Sequence, residues 1–294
     1  MVVASYEVPN VSHASAAPKQ APLALEVADN AVFSKLTTRT LDADGPQLGL
    51  SAYALIRDFA GRRSIEAPDL YAVNHLGVEH IYEDTDAAVG PHFVFVIHRD
   101  VDRDRDRVEK ADRQRNEIKA YDKSVPALKA FANETLLYTW KFKINASMAV
   151  SRRFTHFFQL KAVGGRDSQP MLTISGAKRR GEDGIEVRHS AGQGGMVLAR
   201  QPWRDVVGEW LDVYCRATFA ESGELRLIAT RLRDGAIVFD ISVSALDLWR
   251  GEAANHFVRP KWGIYRSVAD LGNLRAEEET VRFANFSVSK IKLH

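Results

Sequence analysis

Along most of the chain, apolar and polar residues alternate with a period of two, as in strands that turn one face to a core. Phe93, Phe95 and Ile97 alternate with Val94, Val96 and His98, and Leu136, Tyr138, Trp140, Phe142 and Ile144 with Thr139, Lys141 and Lys143. Leu211 to Phe219 repeats the pattern. Glu224 to Ser242 reads as a hairpin turning at Arg233-Asp234-Gly235, because Asp-Gly accepts the positive φ that such turns need. Phe154 to Val163, Met171 to Ala177 and Ile185 to His189 are shorter strands, and Arg113 to Tyr121 and Arg259 to Ser267 are extended segments rich in charge. In the last strand, Val281 to Lys290, the apolar phase slips between Phe283 and Phe286, which predicts a bulge. Helix is scarce: one short helix is expected around Ser51 to Phe59 and another near Ala245 to Trp249. Pro68, Asn74, Gly77 and many carboxylates make Ala67 to Val89 a surface loop. The pattern predicts an all-β protein, two antiparallel sheets packed as a jelly roll or concanavalin-like sandwich with a concave binding face.

Composition narrows this picture in a few places. With 294 residues, 45% of them hydrophobic and 27% charged, the chain can bury an ample core. We expect a flexible lead-in over residues 1–30, interrupted by Pro9, Pro18 and Pro22, and one jelly-roll domain over 31–294. A formal net charge of +2 argues against bulk attraction to nucleic acid or a membrane surface, and a monomer is the expectation. The single cysteine, Cys215, shares an apolar strand face with Leu211, Val213, Ala217 and Phe219, the place of a buried and inert thiol. No apolar run reaches the ~20 residues of a membrane span. Met1 to Asn30 shows no charged segment followed by an apolar one, so the protein is intracellular or a leader has been removed.

Candidate chemistry gathers on three segments. If Arg259 to Ser267 is extended, Arg259, Lys261, Gly263 and Tyr265 share one face while Trp262 and Ile264 point to the core. That face is cationic, carries a phenol, and has at Gly263 a gap where a ligand could approach the backbone. Arg113, Arg115, Glu117 and Lys119 likewise share a face that cannot be core. In Phe154 to Lys161 the period puts Gln159 and Lys161 together, with His156, Phe158 and Leu160 opposite, so His156 is expected to be a satisfied core histidine.

These segments resemble the signature strands of jelly-roll polysaccharide lyases. Arg115-x-Glu117-Ile118-Lys119, Gln159-Leu160-Lys161 and Lys261-x-Gly263-x-Tyr265 stand where alginate lyases carry R-x-E-L-R, Q-I-H and Y-F-K-x-G-x-Y. The wording RQRNEIK, FTHFFQLK and KWGIYRS, in that order, is most similar to the glucuronan lyases of polysaccharide lyase family 20. The resemblance implies an endo-acting β-elimination on a β-1,4-linked polyuronate, glucuronan first, by a secreted or extracytoplasmic enzyme that requires no cofactor. It implies Tyr265 as acid and base, with Gln159 and Arg115 neutralising the sugar carboxylate whose second negative charge otherwise blocks loss of the C5 proton. Lys119, Lys161, Arg259, Lys261, Arg266 and Glu117 would bind substrate, with Lys261 and Arg266 lowering the phenol's pKa from its reference ~10. In this chain Lys161 replaces the histidine of Q-I-H, which suits holding an anion better than accepting a proton. If a separate base exists, His98 is the candidate, because it faces with Val94 and Val96 at a strand end.

Asp100, Asp102, Asp104 and Asp106 alternate with basic residues like a calcium loop, but the sixth position is Arg105 and the twelfth Ala111, so a solvated charge run is the default and Ca2+ the alternative. Asn133-Glu134-Thr135 and Asn145-Ala146-Ser147 match the glycosylation triplet, which is too common to weigh. Two further functions fit the same face. A non-catalytic carbohydrate-binding module would use its cations alone, and a glycoside hydrolase would need two carboxylates in the cleft, of which only Glu117 can be nominated.

Overall fold

The alternating segments pair into two antiparallel sheets in a computed structural model that describes residues 29–47, 49–71, 77–105, 110–191 and 194–294. One sheet runs β13 (Ile237–Leu246), β12 (Gly223–Arg231), β11 (Trp210–Thr218), β6 (Thr135–Ile144), β15 (Glu279–Leu293), β4 (Gly90–Ile97) and β3 (Ile81–Asp86), and β1 (Phe33–Leu41) also pairs with β15. The other runs β10 (Gly195–Pro202), β9 (Glu182–Ser190), β8 (Leu172–Arg179), β7 (Thr155–Val163), β14 (Phe257–Ser267), β5 (Arg113–Lys119) and β2 (Ile65–Glu66). Between them lies an aromatic core. Trp262 and Phe158 of the second sheet meet Trp140, Tyr138 and Phe286 of the first, with Trp140 and Phe158 ring centroids 4.4 Å apart. Cys215 is fully buried there, and burial pushes its thiol up to about 12, so it is inert as expected.

Local chemistry accounts for most element boundaries. Helix α1 (Ala52–Ala60) starts at Ser51, whose side chain accepts from the Ala54 amide, and it buries Tyr53, Ile56 and Phe59 on one face. The β12–β13 hairpin turns at Gly235, with φ 69°, as Asp-Gly predicts. The expected bulge in the last strand is present: pairing with β6 shifts between Ala284 and Ser287, and Asn285 takes φ 54°.

Two expectations about the elements are overturned, and one strand was not foreseen. Ala245 to Trp249 is not a helix. The β13 ladder continues to Leu246, which pairs with Gly223, so its backbone groups are taken by a strand. Ala67 to Val89 is not all loop, because it holds a short helical turn at Pro68–Leu70 and the whole of edge strand β3. That strand was illegible because Glu83 takes an inward position, where its carboxylate is satisfied by the Asp44 and Gly45 amides at 2.9 and 2.8 Å. Strand β10 was also missed, since its half-exposed positions show no apolar face. The lead-in lies outside the described residues up to residue 28, and Asp29 is held by Arg216 and Tyr214 at 2.6 Å each.

Gly263 has a different purpose from the one expected. Its φ is 142°, and a Cβ there would lie 2.1 Å from the Asn116 carbonyl oxygen and 2.7 Å from the Glu117 Cα. The space belongs to the paired strand β5 and not to a ligand. Gly263→Ala therefore strains φ and pushes β14 from β5, and we expect a loss of about 2–4 kcal/mol. A drop in thermal midpoint of roughly 5–10 °C in scanning calorimetry checks this.

Candidate functional site

Strands β7, β14 and β5 are adjacent, so the three charged segments do lie side by side: Lys261 is opposite Lys119 on one flank and Gln159 on the other, and Tyr265 is opposite Arg115 and His156. Their outward side chains floor a cleft of about 600 Å³. Among the described residues, seven cations line it (Arg105, Lys110, Arg113, Arg115, Lys161, Arg259 and Lys261) against two carboxylates, Glu66 and Asp167. The site is built to hold negative charge.

Beneath the floor is a network of buried ions. Glu117 is fully buried and contacts Arg115, receives a hydrogen bond from the Gln159 amide, and lies 2.6 Å from the Lys261 ammonium. Glu66, on the two-residue strand β2, meets Lys261 at 2.9 Å, Lys119 at 2.5 Å and Arg105 at 3.0 Å. Asp104 takes the Arg115 guanidinium on both oxygens, at 2.8 and 3.2 Å. Burial alone would raise the Glu66 carboxyl, but Lys261, Arg115, Lys119 and Arg105 hold it well below its ordinary 4.5. Glu117 is lowered in the same way, against its burial, by Lys261 and Arg115.

The phenol sits above this network. The Tyr265 hydroxyl accepts from Arg113 at 3.0 Å, and the Arg115 guanidinium carbon lies 3.6 Å from the ring centroid, a close cation–π contact. Beside it is His156, ring centroids 5.9 Å apart, stacked on Phe154 and bonded through Nδ1 to the Ser175 hydroxyl at 2.8 Å. Burial lowers this imidazole to about 3, so it is neutral in ordinary buffers. Lys161 donates to the Asp167 and Ser168 carbonyls, and burial with the nearby Lys261 charge lowers its ammonium to about 8. Arg259 lines the same wall and donates to the Ala120 carbonyl at 3.1 Å.

No protein-family model and no curated protein matches this sequence. Solved structures do. A family 7 alginate lyase in complex with substrate superposes with a TM-score of 0.50 at 13% identity, covering 87% of this chain and 94% of that one. Alginate lyase Aly36B with an alginate trisaccharide gives 0.53 at 9%, covering 87% and 99%. The chain has the jelly-roll fold of these lyases. An endo-β-1,4-glucuronan lyase from the fungus Trichoderma reesei is also similar, at 0.46 and 12% identity over 87% and 95%, too loosely for that likeness to bear on substrate. The neighbours therefore reach the lyase jelly roll without singling out family 20.

Against that jelly roll, some expected site residues change place. Tyr265, Gln159, Arg115, Lys161, Arg259 and Lys261 line the cleft, while Lys119 and Glu117 lie at its floor, ion-paired. Arg266 does not join them. It is the next residue along β14 and points to the opposite face, fully buried between Glu279 and Gln114. Nor does His98, which follows a strand of the other sheet and contacts His80, Asp102 and Glu278. His156 moves the other way, into the cleft. Strand β7 carries a bulge, so Phe157 and Phe158 both turn inward and the period slips by one before His156. The aspartate run is not a solvated face. Asp102 and Asp104 are buried on separate partners, Asp100 pairs with Arg99, and Asp106 lies outside the described residues.

Sequence reasoning missed Glu66, Asp104, Arg105 and Arg113 as parts of the site. Only Arg113 carried a signal, since it shares the face of Arg115. Glu66 partners several cations at once, so Glu66→Gln takes the carboxylate from Lys119 and one of two from Lys261 and Arg105, and we expect a loss of about 3–5 kcal/mol. A carboxyl lowered in the folded state stabilises above its ordinary 4.5 and ceases to do so as pH falls through the folded value. Urea unfolding from pH 7 to 3 should therefore show wild-type stability falling more steeply on acidification than that of the Glu66→Gln variant.

Proposed function

We propose that the protein is a polysaccharide lyase that cleaves a polyuronate by β-elimination, with glucuronan as first choice. The observation that carries this is the Tyr265 hydroxyl, held by Arg113 in a cleft whose rim is cationic. A uronate chain is a repeating anion, and Lys161, Arg259 and Arg105 would meet its carboxylates, while Arg113, whose nitrogens go to Asp112 and the Tyr265 hydroxyl, adds its charge from behind them. Gln159 gives one amide hydrogen to Glu117. Its second hydrogen is the neutral donor for the carboxylate of the sugar being cleaved. All three guanidinium nitrogens of Arg115 contact Asp104 or Glu117, so Arg115 acts through its field above that floor.

In β-1,4-linked glucuronate the C5 hydrogen and the C4 oxygen lie on the same side of the ring. Tyr265 can then take the proton from C5 and return it to the departing O4, leaving a C4–C5 double bond. The enolate-like charge on the sugar carboxylate is met by Gln159 and the surrounding cations. No step needs a metal. Where the two groups lie on opposite sides, as in guluronate, a second residue is required, and neutral His156 is placed for it in the role first given to His98. A polymeric substrate of this kind also favours a place outside the cytoplasm.

A hydrolase is disfavoured by the state of the two carboxylates at the cleft floor. Glu66 and Glu117 are ion-paired and held ionised, so neither can act as the protonated acid. A binding module remains the competing class, because the cations would serve it equally well. Incubation with glucuronan, mannuronan, guluronan and heparin, following ultraviolet absorbance of the unsaturated product, separates them. The signal should grow with glucuronan and fall at least about 100-fold in Tyr265→Phe with binding retained. Binding to all four polymers with no new absorbance would favour the module.

Acid–base behaviour gives a second check. Lys161 is a cation below about 8 and neutral above it. KM for the polymer should therefore rise as pH passes about 8, and in Lys161→Arg, whose guanidinium stays charged, it should stay flat through that range.

A further inference from the structure

On the other side of the loop that follows β4, away from the cleft, two imidazoles and a carboxylate converge. His80 precedes β3, His98 follows β4 and Asp102 stands in the loop. His80 Nε2 lies 3.3 Å from His98 Nδ1 and 3.0 Å from Asp102 Oδ1, while His98 Nδ1 lies 3.2 Å from Asp102 Oδ2. The His80 side chain and Asp102 are fully buried, and His98 is largely so.

The outer nitrogens of both rings face acceptors. His80 Nδ1 meets the Val78 carbonyl at 2.6 Å and Asp69 at 3.3 Å, and His98 Nε2 meets Glu278 at 3.3 Å. An imidazole whose outer nitrogen donates to a carbonyl or carboxylate presents a lone pair on its inner nitrogen, as metal-bound histidines do. In their neutral forms both rings turn a lone pair inward beside the Asp102 carboxylate, whose Oδ2 also accepts from the His98 backbone amide at 2.5 Å, so a cation can take the place of the protons between them. Ligand bonds of about 2.0–2.1 Å in a tetrahedral site separate neighbouring donors by roughly 3.3 Å, close to the distances here.

The backbones of these residues are also fixed from the cleft sheet. The Gln114 amide of β5 donates to the carbonyls of His98, Arg99 and Asp102 at 2.8, 2.7 and 2.9 Å, and the Asn116 amide of the same strand donates to His80 O at 2.6 Å. The donors are therefore placed before any ion arrives, which lowers the entropic cost of binding one.

We propose that His80, His98 and Asp102 bind a borderline divalent transition-metal ion of the Zn2+ type, with water in the fourth position. Its role is structural. It pins the loop that two residues later carries Asp104, the counter-ion of Arg115, so it fixes the floor under Tyr265 from outside the cleft. This does not depend on the lyase reading. Nitrogen donors favour such an ion over calcium, which takes oxygen ligands.

The test uses the full chain, stripped with a chelator and titrated with Zn2+ or Co2+. We expect one ion per chain, a rise in thermal midpoint, and for Co2+ the visible absorption of a four-coordinate site. His98→Gln should weaken binding by more than about 100-fold, and Glu278→Gln, at an exposed outer partner, by about tenfold. Circular dichroism of the metal-free proteins checks that each variant folds. Equal and weak binding in wild type and both variants, with no change in midpoint, would mean that the two rings share only a proton and would overturn the site.

Discussion

Beneath the cleft three carboxylates, Glu66, Asp104 and Glu117, are taken out of water together with Arg115 and Lys261. Any one of these charges buried alone would cost several kcal/mol, and each is compensated only because strands far apart in sequence bring its partners within about 3 Å. Everything above the floor depends on that closure. Arg115 can face the Tyr265 ring because Asp104 and Glu117 take its nitrogens, and Lys261 can stand upright at the centre of the sheet because Glu66 and Glu117 flank it.

The same network decides what the cleft can do. Its carboxylates are spent on cations, so no protonated acid is left at the floor. Cations that are not spent there, Lys161, Arg259 and Arg113 among them, stand at the wall and rim. The cleft thus presents cations to its opening, with the Tyr265 phenol and the neutral His156 imidazole side by side among them. These two meet through irregularity in the sheet. The bulge at Phe157 fills the core with two successive aromatic rings, and its by-product is that His156 emerges on the face of Tyr265.

Loops complete what the strands begin. The segment after β4 sends Asp104 and Arg105 into the cleft network, while Asp102 turns back towards His80 and His98. A stretch of alternating charges thereby divides its side chains between two buried clusters. Gln114, on the inner face of β5, holds that division by three hydrogen bonds to the loop backbone.

By itself the sequence determined the two-sheet fold, the hairpin at Gly235, the slip in the last strand and the three strands that bear the cleft. Period-two burial and turn chemistry are local, so they can be read from neighbours a few residues apart. Tyr265, Gln159 and Lys161 were legible for the same reason, since each keeps the phase of its strand. Only the tertiary structure decided the rest. A bulge reversed the face of His156, a fully buried partner drew Arg266 inward, and Glu66 and Asp104 became structural ions although nothing local marked Glu66 and the run around Asp104 reads as solvated charge. Whether a charge is exposed or neutralised depends on residues far away in the chain, and no local period carries that information.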